Sequence, residues 1–389
     1  MQKTTLARLA SCIVVLLGVS AAGCSDSGVE PTPPRVDPTS IRITAGDAQT
    51  APAGNRVRVS VRVSGEAGVP AGNVEVVFKV RSGGGRVLLA RALTNPNGVA
   101  SSSWILGLKP GANTLEATVA GLPPVTATAN GISDFNIDVR YIGEATEAQR
   151  AAVDSAVRRW TNIVVNDIFN LRVLSTAGDC FPQQPDLDET VDDLLLFVHF
   201  AVIDGPGRIL GRAGPCFVRT LNLMPLMGLI ELDVEDLVGI EEKGALVDLL
   251  MHELGHTLGF GTIWPMRSLV TGYGGTDPSY TGQYGNTQYR IMGGTFGVPV
   301  ENLGGAGTRD SHWRESTFGV ELMTGYMTHG GNLLSAFSIA SLEDLGYRVN
   351  IEGADPFELG NAMNAAAAAR GTFSLDGREE LIRPRHPRF

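Results

Sequence analysis

Residues 246–260, Leu-Val-Asp-Leu-Leu-Met-His-Glu-Leu-Gly-His-Thr-Leu-Gly-Phe, restrict this chain more than any other stretch of it. Leu246, Leu249, Leu250 and Leu254 fall at helical spacing and give a helix an apolar side. His252 and His256 stand four apart, so one helical turn separates them and both imidazoles project from the same face. Two imidazoles so placed can clamp a metal ion. Glu253, beside the first of them, is positioned to take a proton from a water on that metal without binding the metal itself. A buried helix can carry two histidines for packing alone, but an ionised Glu253 on so apolar a helix would be costly without a task.

A metal site that activates water needs a third protein ligand and leaves the fourth position open. In the compact motif H-E-x-x-H-x-x-G-x-x-H, a glycine turns the chain after the helix and a third histidine follows three residues later. Gly259 is in place here, but the next position holds Thr262, whose hydroxyl is a poor zinc ligand. The ligand must therefore come from further along, where the chain offers His312, His329 and His386, with Asp310 as a carboxylate candidate.

His312 stands in Ser311-His312-Trp313, and Met323 follows it by eleven residues in Glu321-Leu322-Met323. With Phe260-Gly261-Thr262-Ile263-Trp264, Pro299-Val300-Glu301-Asn302, Gly307-Thr308-Arg309-Asp310 and Leu342-Glu343-Asp344-Leu345-Gly346-Tyr347, this arrangement resembles the leishmanolysin family of metzincin zinc peptidases, in the form found in bacteria. The resemblance runs from about residue 135 to 349. It implies a zinc endopeptidase acting on proteins or peptides, with one catalytic zinc, an α+β fold divided by a cleft, Gly259 as the turn glycine, His312 as third ligand, Met323 as the Met-turn residue beneath the metal and Glu253 as general base. Asp310 and His329 remain the competing ligands. Tyr326 is a candidate oxyanion donor or a packing residue, and residues 262–311 are expected to form an ordered insertion beside the cleft. The chain has far fewer cysteines than the parasite enzymes and no cysteine placed to block the zinc, so a cysteine switch is not expected.

The first residues have the form of an export signal. Lys3 and Arg8 precede a short apolar run, 13–19, too short to span a membrane. Ala21-Ala22-Gly23-Cys24 resembles a bacterial lipobox, which implies a lipidated Cys24, an envelope or extracellular location, and membrane contact only through that anchor. Of the four cysteines, Cys12 and Cys24 belong to this signal; export leaves Cys180 and Cys216 in an oxidising compartment, where a bridge between them is expected. The formal net charge of -10, without a basic cluster, argues against a nucleic-acid partner.

Residues 24–38 are polar and proline-rich and read as a linker. From 39 to 132 the pattern alternates: Val57, Val59, Val61 and Val63 share one face, Val74, Val76 and Phe78 another, with Gly83-Gly84-Gly85 and Asn97-Gly98 as turns. A small antiparallel sandwich is expected. Together with Val69-Pro70, Asn97-Gly98-Val99-Ala100 and Trp104-Ile105-Leu106-Gly107, the pattern resembles bacterial immunoglobulin-like domains of invasins, which implies a spacer or adhesive module. The chain is thus expected to be multidomain: signal peptide 1–23, linker 24–38, an all-β immunoglobulin-like sandwich 39–132, an α+β metzincin domain 133–350 and a C-terminal extension 351–389. Within the second half, Thr146-x-x-Gln149 opens a helix to about residue 168, and 194–202 form a buried strand in which His199 is a core residue rather than a ligand. The second functional reading is a surface adhesin whose metal site is inactive or structural.

Overall fold

The protein is described by a computed structural model, in which residues 35–295, 297–328, 331–360 and 372–386 are described. Cys12, Cys24 and the proposed signal lie outside those residues, as does His329. Among the described residues no helix is long and apolar enough to cross a membrane.

Alternation in the first half builds two facing sheets from nine strands: β1 (Ser40–Ala45), β2 (Gln49–Pro52), β3 (Arg56–Ser64), β4 (Glu75–Ser82), β5 (Arg86–Val87), β6 (Arg91–Leu93), β7 (Val99–Ile105), β8 (Gly111–Thr118) and β9 (Val125–Ile132). One sheet has the order β1-β3-β7-β5 and the other β2-β9-β8-β4-β6; only the β2–β9 pairing is parallel. Val57, Val59, Val61 and Val63 point inward from β3 and meet Val76, Phe78, Leu115 and Trp104 in one core. Each such side chain contributes about 1.5–3 kcal/mol by leaving water.

The second half opens with β10 (Ile137–Ile142) and α1 (Glu147–Ile163). The capping box forms as expected, Thr146 Oγ1 accepting from Gln149 N and Gln149 Oε1 accepting from Thr146 N. The helix ends at Ile163, five residues short of the expected end at 168, because Val164 turns extended, bridges Val349, and Val165 N donates to Arg348 O. The chain continues through β11 (Leu171–Ser175), β12 (Leu187–Val191), β13 (Leu194–Ala201), β14 (Gly211–Val218), β15 (Pro225–Asp233) and α2 (Val234–Glu242). Next come α3 (Leu246–Thr257), α4 (Trp264–Arg267), β16 (Val270–Thr271), β17 (Ser279–Tyr280), α5 (Gln283–Ile291), α6 (Glu315–Phe318), β18 (Tyr326–Thr328), α7 (Ala336–Asp344), β19 (Thr372–Ser374) and β20 (Glu379–Leu381). The described residues of 262–311 thus include a small hairpin with one short helix on either side of it.

The main sheet has the order β10-β13-β15-β14-β20. β10, β13 and β15 run parallel, β14 runs antiparallel to β15, and β20 joins the outer edge of β14 in parallel. Residues 351–389, set apart in the sequence as an extension, thus supply the edge strand of this sheet. The core beneath combines Trp160 of α1, Leu249, Leu250 and Leu254 of α3, and Phe337 and Leu342 of α7. Trp160 Nε1 donates to Met251 O at 2.9 Å and fixes α1 across α3. His199 Nδ1 on β13 lies 2.9 Å from Glu231 Oε1, and Glu231 also pairs with Arg212, so this histidine is held in a structural polar group of the sheet. Cys180 and Cys216 are joined in a disulfide, with Cα atoms 5.4 Å apart.

Candidate metal centre

Helix α3 carries His252, Glu253 and His256, all three with no solvent exposure. It stops at Thr257. Thr262 Oγ1, in the position of the compact third ligand, donates instead to His256 O at 2.8 Å and closes the helix end. Gly259 makes the turn with φ +109°, where a Cβ would meet Ile263 at 2.8 Å. The chain then passes through the 262–311 region and returns His312 to the same place, also fully buried.

The three imidazoles converge through one set of atoms. Nε2 of His256 lies 2.9 Å from Nε2 of His252 and 3.0 Å from that of His312, and the third separation is 3.1 Å. Each Nδ1 is committed to a main-chain carbonyl: His252 to Leu322 O at 2.7 Å, His256 to Phe260 O and His312 to Thr308 O, both at 3.0 Å. A carbonyl only accepts, so each Nδ1 keeps the proton and each Nε2 presents a lone pair. Three lone pairs at this separation repel one another unless a cation lies among them. Ligands held tetrahedrally about 2.0–2.1 Å from zinc are about 3.3 Å apart, close to the spacing here, so the donor set fits such an ion. Burial, with His252 and His312 crowding it, holds His256 well below the usual imidazole range, in the neutral form a metal requires, against the pull of Glu379.

Met323 lies beneath this cluster, its Sδ and Cε against Gly255, the residue before His256; a Cβ there would come within 2.9 Å of both atoms. The turn that presents Met323 is organised by Glu321, fully buried, which accepts from Met323 N at 2.6 Å, from Ser335 N at 3.1 Å, from Ser335 Oγ at 2.7 Å and from Ser338 Oγ. Leu322, between them, supplies the carbonyl that orients His252.

The three Nε2 atoms do not face open space. Glu379 on β20 brings Oε1 to 3.1 Å from His256 Nε2 and Oε2 to 3.2 Å from His312 Nε2 and 3.7 Å from His252 Nε2. His252, His256, His312 and Glu379 together form a buried group able to hold a metal ion. Neither Glu379 oxygen has a hydrogen-bond partner, and neither has an oxygen of Glu253. Burial and then the adjacent Glu379 carboxylate push Glu253 well above the usual carboxyl range.

Glu379 is absent from the residues expected at the site, because one acidic residue in Arg378-Glu379-Glu380 carries no motif and only tertiary folding brings it across to α3. Asp310 does not join the cluster; its Oδ2 accepts from Gly274 N at 3.0 Å. His386 is exposed. Tyr326 on β18 lines a separate cavity with Glu301, Thr308 and Glu315. Beside Glu379 a cleft of about 800 Å³ is bordered by Tyr273, Ala306, Arg309, Asp310 and Arg383.

Comparison with known proteins is informative for the second half. A family model for leishmanolysin (Peptidase M8) matches residues 284–370. Part of this chain is similar to the leishmanolysin metallopeptidases. The matched window holds His312 and Met323 and begins after α3. A leishmanolysin homolog of Crithidia fasciculata is 27% identical over 187 residues, which cover 45% of this chain and 27% of that protein. The chain thus spans little more than a quarter of that relative's length. Among solved structures, the D00–D0 domain of intimin is 26% identical over 25% of this chain and 46% of that chain, with a TM-score of 0.20. The adhesin InvE of Yersinia pseudotuberculosis is 18% identical over 24% of this chain and 32% of that one, with a TM-score of 0.22. Likenesses at such TM-scores are too slight to bear on the fold.

Proposed function

We propose that this chain is an exported zinc endopeptidase of the leishmanolysin type that hydrolyses peptide bonds in proteins. The observation that carries this reading is the convergence of three Nε2 lone pairs within 3.1 Å of one another, each set by a carbonyl on Nδ1, beside the unpartnered carboxyl of Glu253. The similarity of residues 284–370 to the leishmanolysin family supports it.

His252, His256 and His312 would hold the ion. Zinc in such a site supplies a lowered pKa for a water and a Lewis acid for the scissile carbonyl. Glu253 is the general base: one residue from His252 on the same helix, it takes the proton of the attacking water and returns it to the leaving amine. Met323 and the carbonyls of Leu322, Phe260 and Thr308 fix the histidines so that no reorganisation is needed during the reaction. Export follows the signal-like residues 1–23, with a lipid on Cys24 as the anchor, and the β-sandwich, 39–132, stands as an immunoglobulin-like spacer between anchor and peptidase.

The second reading, an adhesin with a structural metal, draws on Glu379, because four buried protein groups are the pattern of a closed structural site. Zinc content and casein hydrolysis separate the two. The expected result is one zinc per chain and, in a Glu379→Ala background, casein cleavage that a chelator abolishes and that an added Glu253→Gln slows at least about 10³-fold while the zinc stays bound. Stoichiometric zinc with intact casein in every variant, one lacking Glu379 included, would reject the peptidase.

A further inference from the structure

Glu379 is the one buried residue between Asp376 and His386, on a strand whose other side chains are exposed or half-buried. A carboxylate sunk alone from a surface strand, with neither oxygen hydrogen-bonded, is costly to bury unless something in the site draws it in. What it meets is the three Nε2 atoms, none of which carries a proton to share with it. A cation between them satisfies both sides at once.

We infer that Glu379 is a fourth protein ligand of the metal, delivered by a detachable C-terminal strap that occupies the position of the attacking water and keeps the peptidase latent. This deepens the peptidase reading and rests on it.

The strap is seated by specific contacts. β20 pairs in parallel with β14 through Gly211, Arg212 and Ala213, and the ladder is extended by Leu210 N to Arg378 O at 2.6 Å and Ile382 N to Ala213 O at 2.8 Å. Arg378 pairs with Asp236 at 2.8 Å, Glu380 with Arg212 at 2.6 Å, and Arg383 donates to Gly261 O and to Ser311 Oγ, the residue before His312. Gly307 lies so close beneath the strand that a Cβ there would come within 2.0 Å of Glu379 O. The surface next to the third histidine is shaped to receive this main chain.

The same contacts explain why the strap can lift. It lies at a sheet edge, held there by main-chain bonds that run from Arg378 to Arg385 and by ion pairs of which Arg212–Glu380 is exposed and weakened by salt. When it lifts, three things change together: the fourth coordination position opens to water, Glu253 loses the negative neighbour beside it, and the outer edge of β14 is freed. That edge then offers unpaired N–H and C=O groups to an extended peptide, which is how a sheet edge binds a substrate chain. The strap thus blocks the ligand position and the binding edge with one element.

The test uses the full chain loaded with cobalt in place of zinc and titrated with acetohydroxamate, which needs an open coordination position; the readout is the visible cobalt absorption. Glu379→Ala should bind acetohydroxamate at least about tenfold more tightly than the unaltered chain, and Arg383→Ala, which keeps the ligand and loosens the strap, should fall between them. Near-ultraviolet circular dichroism checks that the fold is kept, and Arg383→Ala carries the test alone if Glu379→Ala does not fold. Equal hydroxamate affinity in the unaltered chain and the folded variants overturns the strap and leaves the peptidase reading standing. A chain that takes up no metal overturns the metal reading itself. A Glu379→Ala variant that binds hydroxamate yet leaves casein intact upholds the fourth ligand and rejects the peptidase.

Discussion

Replacing Glu321 by Gln isolates what the turn beneath the metal cluster contributes. The side chain keeps its shape and loses one acceptor. In the unaltered chain one carboxylate oxygen serves Met323 N, at 2.6 Å, and the other serves Ser335 N and the hydroxyls of Ser335 and Ser338. The two hydroxyls can reorient, but a main-chain N–H cannot. With the amide oxygen kept on the Ser335 side, the amide NH2 faces Met323 N and leaves it unpaired in a fully buried place. An orphaned buried donor costs about 1–3 kcal/mol. At a urea slope of about 2 kcal/mol per M, the unfolding midpoint should fall by about 0.5–1.5 M. The effect should also reach the metal: Leu322 O, which orients His252, lies between Glu321 and Met323, and loss of such a supporting bond weakens metal binding by about 10-fold or more. Urea unfolding followed by fluorescence and zinc competition with a chelator measure the two effects. A variant whose midpoint moves by less than about 0.2 M and whose zinc affinity is unchanged would refute the claim that this carboxylate holds the turn.

Two further outcomes are expected. Burial, with Glu301 and Glu321 nearby, pushes Glu315 up to about 7, so between its ordinary value of 4.5 and about 7 the folded state holds a proton that the unfolded chain has released. Stability must therefore fall as pH rises through that window, and Glu315→Gln should raise stability at pH 8 by about 1–2 kcal/mol after allowance for partial exposure, while leaving it unchanged at pH 4; equal gains at both pH values would contradict this. The Cys180–Cys216 bridge closes a loop with a sequence separation of 36, and replacing both cysteines by Ala should cost about 3–4 kcal/mol in thermal unfolding, against no change if the bridge is absent.

What could be read from the sequence was what local chemistry decides. The helix of His252 and His256, the capping box at Thr146 and the inward valines of β3 all follow from spacing within one element, because side-chain direction there is set by backbone geometry. The end of α1 was less legible: Val164 leaves the helix for a partner, Val349, nearly two hundred residues away. His312 had no local signal tying it to α3, and only the likeness of its surroundings to a known family singled it out from three later histidines. Glu379 lacked even that. Its position depends on β20 finding the edge of β14, a pairing that three residues of unremarkable composition do not announce.

The order in which the chain is made adds a further consequence of the edge position of β20. His252, His256 and His312 are all synthesised before Glu379, which follows His312 by 67 residues. At translation rates of about 5–20 residues per second, roughly 3–13 s pass between them. During that interval the edge of β14 has no β20 against it, so the side of the three imidazoles that Glu379 meets is the last part of the site to be covered.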